Sequence, residues 1–412
     1  MRRHVCAVLV ALLLLVSLAA ADTTIYSPNK SWTIGNRYFA VHGWGFATNN
    51  TPWPAGVGSY RTWDAGAVWA TVEPSRGYYT WGRLDQIVNF MHGKNVDVLF
   101  TFGRVPQWAS SKSTLSICGY GPGQCAPPYS MTDWSNFVSA VANRYKGRIR
   151  YYELWNEPNA SNWWSGTTSQ MLQLASIAYG IIKSVDPSAT VLTPAPQGLY
   201  AFQWMQGYFA IGGANYANVV AFHGYVGAFN GTTTRPPEYW IPVVKNMRTT
   251  MANYHVYKPL WDTEAGWGAN WQYPSTYNRV GFVARMYMLH WLYGVSRYFW
   301  YNWDSQTYGT MWSGYNTAPA VAYYWVTKWM TGTLFDRCID YSNGTWACHL
   351  SRSGGYQAWV LWNQYGSSSY QLNSAYNLHQ ERNLSGGKWG ISPSARISIG
   401  TQPVLVETWS AF

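Results

Sequence analysis

The chain has 412 residues, 48% of them apolar and 18% aromatic, with 27 Trp and 33 Tyr, which excludes the low-hydrophobicity, high-charge composition of a disordered chain. Only 11% are charged, and the net +11 reflects scarce acids, 17 against 28 bases. No block of basic residues marks a polynucleotide partner, and the length implies one large domain or a large plus a small one.

Residues 1–21 read as a secretory leader: Arg2 and Arg3, an apolar run from Val5 to Leu18, then Ala19-Ala20-Ala21 before Asp22. The run is short of the roughly 20 residues that span a bilayer. The expectation is a secreted mature chain of 391 residues and net charge +9, with no membrane anchor after leader removal. Cys6 leaves with the leader, and four cysteines remain. In an oxidising compartment, proximity favours Cys118–Cys125 and Cys338–Cys348, although three pairings are formally open. A zinc site is a poor alternative, because no CxxC pair or paired histidines accompany them.

From about residue 36 to 331, short β-rich runs alternate with longer segments of helical apolar spacing. The expected strands are Tyr38–Gly43, Ser59–Trp63, Val96–Phe102, Arg150–Trp155, Thr190–Pro194, Asn218–His223, Pro259–Glu264 and Ser296–Tyr301. Between or after them come expected helices at Leu84–Lys94, Trp134–Tyr145, Ser169–Val185, Ile241–Asn253, Thr276–Tyr293 and Thr317–Thr331. Eight such units have the size and order of a (β/α)8 TIM barrel, placed here at residues 22–331. A doubly wound sheet is disfavoured, since no GxGxxG loop follows a strand. Beyond Thr331 the rhythm changes to short alternating runs at Cys338–Tyr341, Trp346–Ser351, Gln357–Trp362, Ala395–Ile399 and Val404–Thr408. These predict a small β-sandwich over 332–412, completed by a strand from residues 22–30.

Barrel enzymes carry their reactive groups at the C-terminal ends of the strands. The chain has seven glutamates, and Glu381 and Glu407 fall in the sandwich, Glu238 in a Pro-Pro-Glu loop and Glu73 in an excursion after the second strand. Glu157 closes Tyr151-Tyr152-Glu153-Leu154-Trp155-Asn156-Glu157-Pro158 at the mouth of strand four. Glu264 closes Leu260-Trp261-Asp262-Thr263-Glu264 at the mouth of strand seven. Two carboxylates on opposite sides of one barrel mouth are what glycoside hydrolysis needs, one protonated and one ionised. Glu153, on the same strand as Glu157, is expected to be structural, a barrel-interior carboxylate paired with a cation.

Trp155-Asn156-Glu157-Pro158 together with Thr263-Glu264 resembles clan A of the retaining glycoside hydrolases. Tyr60-Arg61-Thr62-Trp63-Asp64, Trp69, Val72-Glu73-Pro74, Gly77, Leu84-Asp85 and Pro106-Gln107-Trp108-Ala109 make family 39 the nearest likeness within it. The resemblance covers roughly residues 36–330, and families 5 and 79 share much of the pattern. It implies Glu157 as general acid/base, Glu264 as nucleophile, and Asn156 as the partner of the sugar 2-hydroxyl. It also implies that Tyr225 of His223-Gly224-Tyr225 holds the nucleophile and that Arg61 keeps it ionised. On that reading the Glu264 pKa is depressed and the Glu157 pKa raised.

Tryptophans at strand mouths offer flat faces to pyranose rings: Trp44, Trp108, Trp267 and above all Trp303, with Trp300 its rival. The loop Arg104–Asp133 is long enough to wall a cleft. The expected function is a secreted retaining hydrolase of a β-linked glycan, endo-acting. An exo-acting β-xylosidase-like enzyme and a non-catalytic carbohydrate-binding barrel are the alternatives. The chemistry calls for no metal and no organic cofactor, and a monomer with a carbohydrate partner is expected.

Overall fold

The computed structural model describes residues 21–48, 51–226, 235–273 and 275–409. The leader read over residues 1–21 lies, apart from Ala21, outside the described residues. Among the described residues no helix is long and apolar enough to cross a membrane.

A first strand, β1 (Thr23–Tyr26), precedes eight parallel barrel strands: β2 (Phe39–Val41), β3 (Ser59–Arg61), β4 (Asp97–Thr101), β5 (Tyr151–Glu153), β6 (Thr190–Leu192), β7 (Val220–Phe222), β8 (Leu260–Ala265) and β9 (Val295–Trp300). Their hydrogen-bonded order is β6-β5-β4-β3-β2-β9-β8-β7, and a parallel bridge between Leu192 and Val219 links the two ends. Each lies within or overlaps an expected run, and the (β/α)8 class holds. The helices are α1 (Trp69–Val72), α2 (Gly82–Gly93), α3 (Met131–Arg144), α4 (Thr168–Val185), α5 (Ala201–Ala210), α6 (Ile241–Asn253), α7 (Thr276–Leu292) and α8 (Ala318–Met330). Short α1 and the Gly207-containing α5 were not expected: four residues are too few to show a helical period, and Gly207 interrupts α5.

The helices start and pack for local reasons. In α4, Thr167 accepts from Gln170 N while Gln170 caps Thr167 N, and Met171, Leu174, Ala178 and Ile182 turn one apolar face to the core. From Val280 to Leu292, α7 is buried all round, because it sits between barrel strand β9, α8 and the C-terminal sheet. Its two buried polar residues are both paired, Arg285 with Glu238 and His290 with Asp262.

Inside the barrel, alternation builds layers. Ala40, Leu99, Leu192, Ala221, Trp261 and Phe299 form an apolar interior cluster. Two residues further along β4, β5 and β8 stand Thr101, Glu153 and Thr263, all fully buried, so the next layer up is polar. That layer is the floor of the barrel mouth.

After the barrel come β10 (Leu334–Asp340), β11 (Thr345–Arg352), β12 (Tyr356–Asn363), β13 (Ser368–Gln371), β14 (Gln380–Arg382), β15 (Lys388–Gly390), β16 (Arg396–Ile399) and β17 (Val404–Glu407). They form a sheet of order β1-β10-β11-β12-β17-β14-β15 and a smaller β13-β16 ribbon, with Leu361, Leu372, Leu378, Ile397 and Val406 in a shared core cluster. β1 pairs antiparallel with β10. Cys338 and Cys348 are directly opposite each other on β10 and β11 and are bonded, as are Cys118 and Cys125.

Candidate active site

Four strand exits converge at the barrel mouth. Arg61, the last residue of β3, is buried and donates from Nε to Glu153 Oε2 (2.7 Å), from Nη1 to Glu264 Oε2 (2.7 Å) and from Nη2 to Asn156 Oδ1 (2.9 Å). Glu153 also accepts from Thr101 Oγ1 (2.9 Å). One guanidinium therefore fixes two carboxylates and the orientation of the Asn156 amide, whose nitrogen remains as a donor. Glu153 is the interior, cation-paired carboxylate read from the sequence, and its cation is Arg61 itself.

The Asn156-Glu157 step continues the β5 ladder beyond the strand. Asn156 bridges to Ala195, and Glu157 N donates to Ala195 O (2.9 Å). Glu157 has φ of 46°, in the left-handed region that costs a residue with a side chain roughly 1–3 kcal/mol. Strain at such a position is held only where its surroundings fix it, and here the ladder to Ala195 does so. On β8, plain alternation from Asp262 would send Glu264 outward. The register shifts between Asp262 and Ala265, as bulges do beside active sites, and Glu264 reaches Arg61.

His223-Gly224-Tyr225 leaves β7 between these two carboxylates. His223 Nδ1 lies 2.8 Å from Glu157 Oε1, and Tyr225 Oη donates to Glu264 Oε1 (2.9 Å). Gly224 is required, since a Cβ there would stand 2.1 Å from Asp262 Oδ2. Asp262 takes Gly224 N (3.1 Å) and His290 Nε2 (2.9 Å), so the buried Asp262–His290 pair anchors this exit from behind.

One oxygen of Glu157, one of Glu264 and a ring nitrogen of His223 all lie within 4.8 Å of one another. This is the grouping of metal-ligating side chains found among the described residues, but its atoms are already engaged. Glu264 accepts from Tyr225 at one oxygen and from a guanidinium at the other, and His223 Nδ1 is bonded to Glu157. A cation held by Glu264 would also face Arg61 across one carboxylate.

Burial, reinforced by the charge of Glu264, pushes the Glu157 pKa well above the usual carboxylate range, against the pull of Arg61. Glu264 is pushed up to about 7, by burial and Asp64, with Arg61 and Tyr225 opposing. The expected depression of Glu264 is thus corrected. Arg61 shares its charge with fully buried Glu153, and what remains does not offset desolvation. The order of the two groups is kept, with Glu157 raised further. His223 is pushed well below its ordinary value by burial and by the nearby Arg61 and His42, so it stays neutral.

A cavity of about 460 Å³ opens over these groups, lined by Asn156, Glu157, Tyr225 and Glu264, with Trp63, Asp64, Tyr120, Trp163, Tyr301 and Tyr308 among its walls. The loop after β4 does wall it: Tyr120, inside the Cys118–Cys125 bridge, packs 4.9 Å from Trp163, and Gly119 N donates to Asn162 O (3.0 Å).

The strand-mouth tryptophans are a correction. Trp303 is buried against Tyr323 in a separate cavity with Trp53 and Tyr324, and Trp300 and Trp267 pack on each other in the core. Trp108 donates to Glu73 O under the Arg76 guanidinium, and exposed Trp44 donates its backbone N to Asp304. None of them lines the cavity of Glu157 and Glu264. Past β8 and β9 the chain folds back toward α7 and α8, which turns those indoles into packing. The wall aromatics are Trp63 from the β3 exit, Trp163 from the loop after β5, Tyr120 from the bridged loop, and tyrosines from the exits of β7 and β9. Trp63, two residues past Arg61, and Tyr301, at the end of an expected strand, stand at exits that the sequence marks.

A (β/α)8 barrel whose mouth holds a proton-retaining carboxylate beside one gripped by arginine and tyrosine defines a glycoside hydrolase. The comparisons agree. A model of glycosyl hydrolases family 39 matches residues 64–287, more than half of the chain, and the chain belongs to that family. A β-xylosidase of Geobacillus stearothermophilus is 28% identical over 126 residues, which is 29% of this chain and 25% of that protein. The match thus spans about a quarter of that relative's length. Among solved structures, a family 39 glycoside hydrolase from the gut symbiont Bacteroides cellulosilyticus WH2 superposes with a TM-score of 0.69 at 17% identity, covering 85% of this chain and 75% of that one. A monomeric β-xylosidase from Caulobacter crescentus CB15 gives 0.65 at 15% identity, covering 91% and 97%. A family 30 endoxylanase from Clostridium papyrosolvens C71 gives 0.60 at 14%, covering 94% and 99%, and these likenesses are of fold.

Proposed function

We propose that the chain is a secreted, monomeric, retaining hydrolase of a β-linked glycan, acting within the polymer by double displacement. The observation that carries this is the separation of the two carboxylates combined with their unequal partners. An oxygen of Glu157 lies within 4.8 Å of one of Glu264, a close approach that favours the roughly 5–5.5 Å carboxyl spacing of retaining sites over the roughly 6.5–9.5 Å of inverting ones. Glu264, with a cation and a phenol on its oxygens, is the nucleophile: it attacks the anomeric carbon as Glu157 gives its proton to the departing oxygen. Glu157 then takes a proton from the water that breaks the glycosyl ester. Asn156 donates from its free amide nitrogen to the sugar 2-hydroxyl, a bond that strengthens as the ring gains oxocarbenium character.

Endo action is supported by exposed aromatics on strand-exit loops, Tyr200, Trp271 and Tyr315, besides Tyr308 of the cavity wall, which offer ring faces to further sugar units. The leader and the two disulfides support an extracellular site of action. An exo-acting β-xylosidase is the second reading, favoured by the named likenesses to β-xylosidases.

The test is a panel of β-linked polysaccharides and aryl β-glycosides, with wild type, Glu157→Gln and Glu264→Gln, reading reducing ends, product length and anomeric configuration by NMR. Retained configuration with both variants depressed by at least about 10³-fold is expected. Initial inversion, or an unimpaired Glu264→Gln, would refute the assignment. Oligomers as first products mean endo action, and xylose alone means the second reading.

A further inference from the structure

The cavity holds a third carboxylate that the double displacement does not use. Asp64 lies three residues beyond Arg61 at the β3 exit and shares the cavity with Glu157 and Glu264. Tyr120 Oη donates to Asp64 Oδ1 (2.5 Å), and Tyr301 lines the same cavity. No cation among the described residues forms an ion pair with Asp64. Arg61 is taken by Glu153 and Glu264, and Arg104 lies 3.8 Å over the Tyr120 ring and donates to Gln124. The phenol that holds Asp64 is itself held by Arg104, Trp63 and Trp163, within a loop closed by a disulfide.

A carboxylate offers about four acceptor positions. The Tyr120 phenol occupies one, fixes the group in the cavity wall and leaves acceptors for whatever enters the cavity. A pyranose ring presents hydroxyl donors in adjacent pairs, which matches two free acceptors on one fixed group. A mere anchor for the loop would need only the Tyr120 bond and no place in the cavity wall.

Resting on the glycosidase reading above, we propose that Asp64 is a recognition residue that accepts hydrogen bonds from two adjacent ring hydroxyls of the bound sugar. Tyr120 is its positioning residue. The substrate class that follows is a neutral sugar with both hydroxyls free. A ring deoxygenated, acetylated or alkylated at either position leaves Asp64 unpaired, and sites built to bond a hydroxyl discriminate strongly against analogues that lack it.

The experiment compares wild type with Asp64→Asn on an aryl β-xyloside and on its 3-deoxy and 4-deoxy analogues. The expected loss of kcat/KM on the parent is about 10- to 100-fold, the cost of a weakened charge-assisted pair. On an analogue lacking a bonded hydroxyl the loss shrinks to about threefold or less, and Tyr120→Phe shows the same selectivity more weakly. An equal loss on parent and analogues means a structural role and overturns the proposal. A binding arm is independent of turnover: xylobiose and cellobiose are titrated calorimetrically into Glu264→Gln and into Glu264→Gln/Asp64→Asn. Wild type inactive on every xyloside refutes the xylosidase reading, while weaker binding to the double variant still supports Asp64. Equal binding, or none of either sugar to Glu264→Gln, overturns it.

Discussion

Arg61 ties the stability of the barrel to its chemistry, and the two roles separate in a double-variant cycle. Arg61→Met removes the cation from fully buried Glu153 and from Glu264. Breaking a buried pair by deleting one member typically costs about 3–5 kcal/mol. With an unfolding entropy near 2.1 cal/mol/K per residue, that is a fall in Tm of about 4–6 °C for a chain of this size. Glu264, already at about 7, loses its main lowering influence. A rise of roughly one to two units leaves about 5- to 50-fold less ionised nucleophile at pH 7. Adding Glu153→Gln removes the stranded charge, so Arg61→Met/Glu153→Gln recovers most of the lost stability. It recovers little activity, because Glu264 and Asn156 still lack their donor. Differential scanning calorimetry and a kcat/KM profile against pH on all four proteins measure both effects. A double variant with wild-type turnover, or an Arg61→Met protein that melts with the wild type, would refute the reasoning.

Three further outcomes are expected. First, activity requires Glu264 ionised and Glu157 protonated, so the acid limb of kcat/KM lies near 7 and the base limb above it; Tyr225→Phe, which deletes a bond that lowers the Glu264 pKa, moves the acid limb upward. The same raised group gives stability a sign: native Glu264 holds its proton above the unfolded value of 4.5, so stability falls as pH rises from about 4.5 to about 7. Urea midpoints fall across that window, less so in Glu264→Gln. Second, Trp163→Ala raises KM severalfold with little change in Tm, whereas Trp303→Ala costs about 3–5 kcal/mol in stability and leaves KM nearly unchanged. Steady-state kinetics beside thermal melts separates them. Third, Cys118→Ser/Cys125→Ser frees the loop carrying Tyr120, costing about 2.5 kcal/mol by loop entropy and raising KM. An unchanged KM in that protein would mean the loop is no part of sugar binding.

The barrel was legible because each strand is buried on both faces and so reads as a short apolar run between turn signals, with amphipathic helices alternating behind. Phe39–Val41 and Asp97–Thr101 are buried throughout, and α4 announces itself with a capping box and an apolar stripe. Among the strands, what failed was short and polar. Ser368–Gln371 alternates between half-buried and exposed, and Lys388–Gly390 is exposed throughout, so neither carries a core-facing pattern. Such strands exist because a neighbour supplies half of their hydrogen bonds, which no local window contains.

The site divides along the same line. Glu157 and Glu264 were found from their positions at the strand mouths, and Arg61, Asn156, His223 and Tyr225 from the motifs that carry the family resemblance; the exits of β3, β5, β7 and β8 bring all six together. The tryptophans misled because an indole just past a strand is equally suited to a sugar face and to the layer between strand and helix, and only the later path of the chain chooses. After β9 that path runs back to α8, so Trp303 meets Tyr323. The charge state of Glu264 failed for a related reason. An arginine next to a carboxylate predicts a lowered pKa only if the cation is unshared, and Arg61 also answers Glu153 on the next strand but one. Sharing is what the chemistry can use. A nucleophile left near neutrality, beside an acid raised further, keeps one proton between the pair at the pH where the enzyme must both protonate a leaving group and attack.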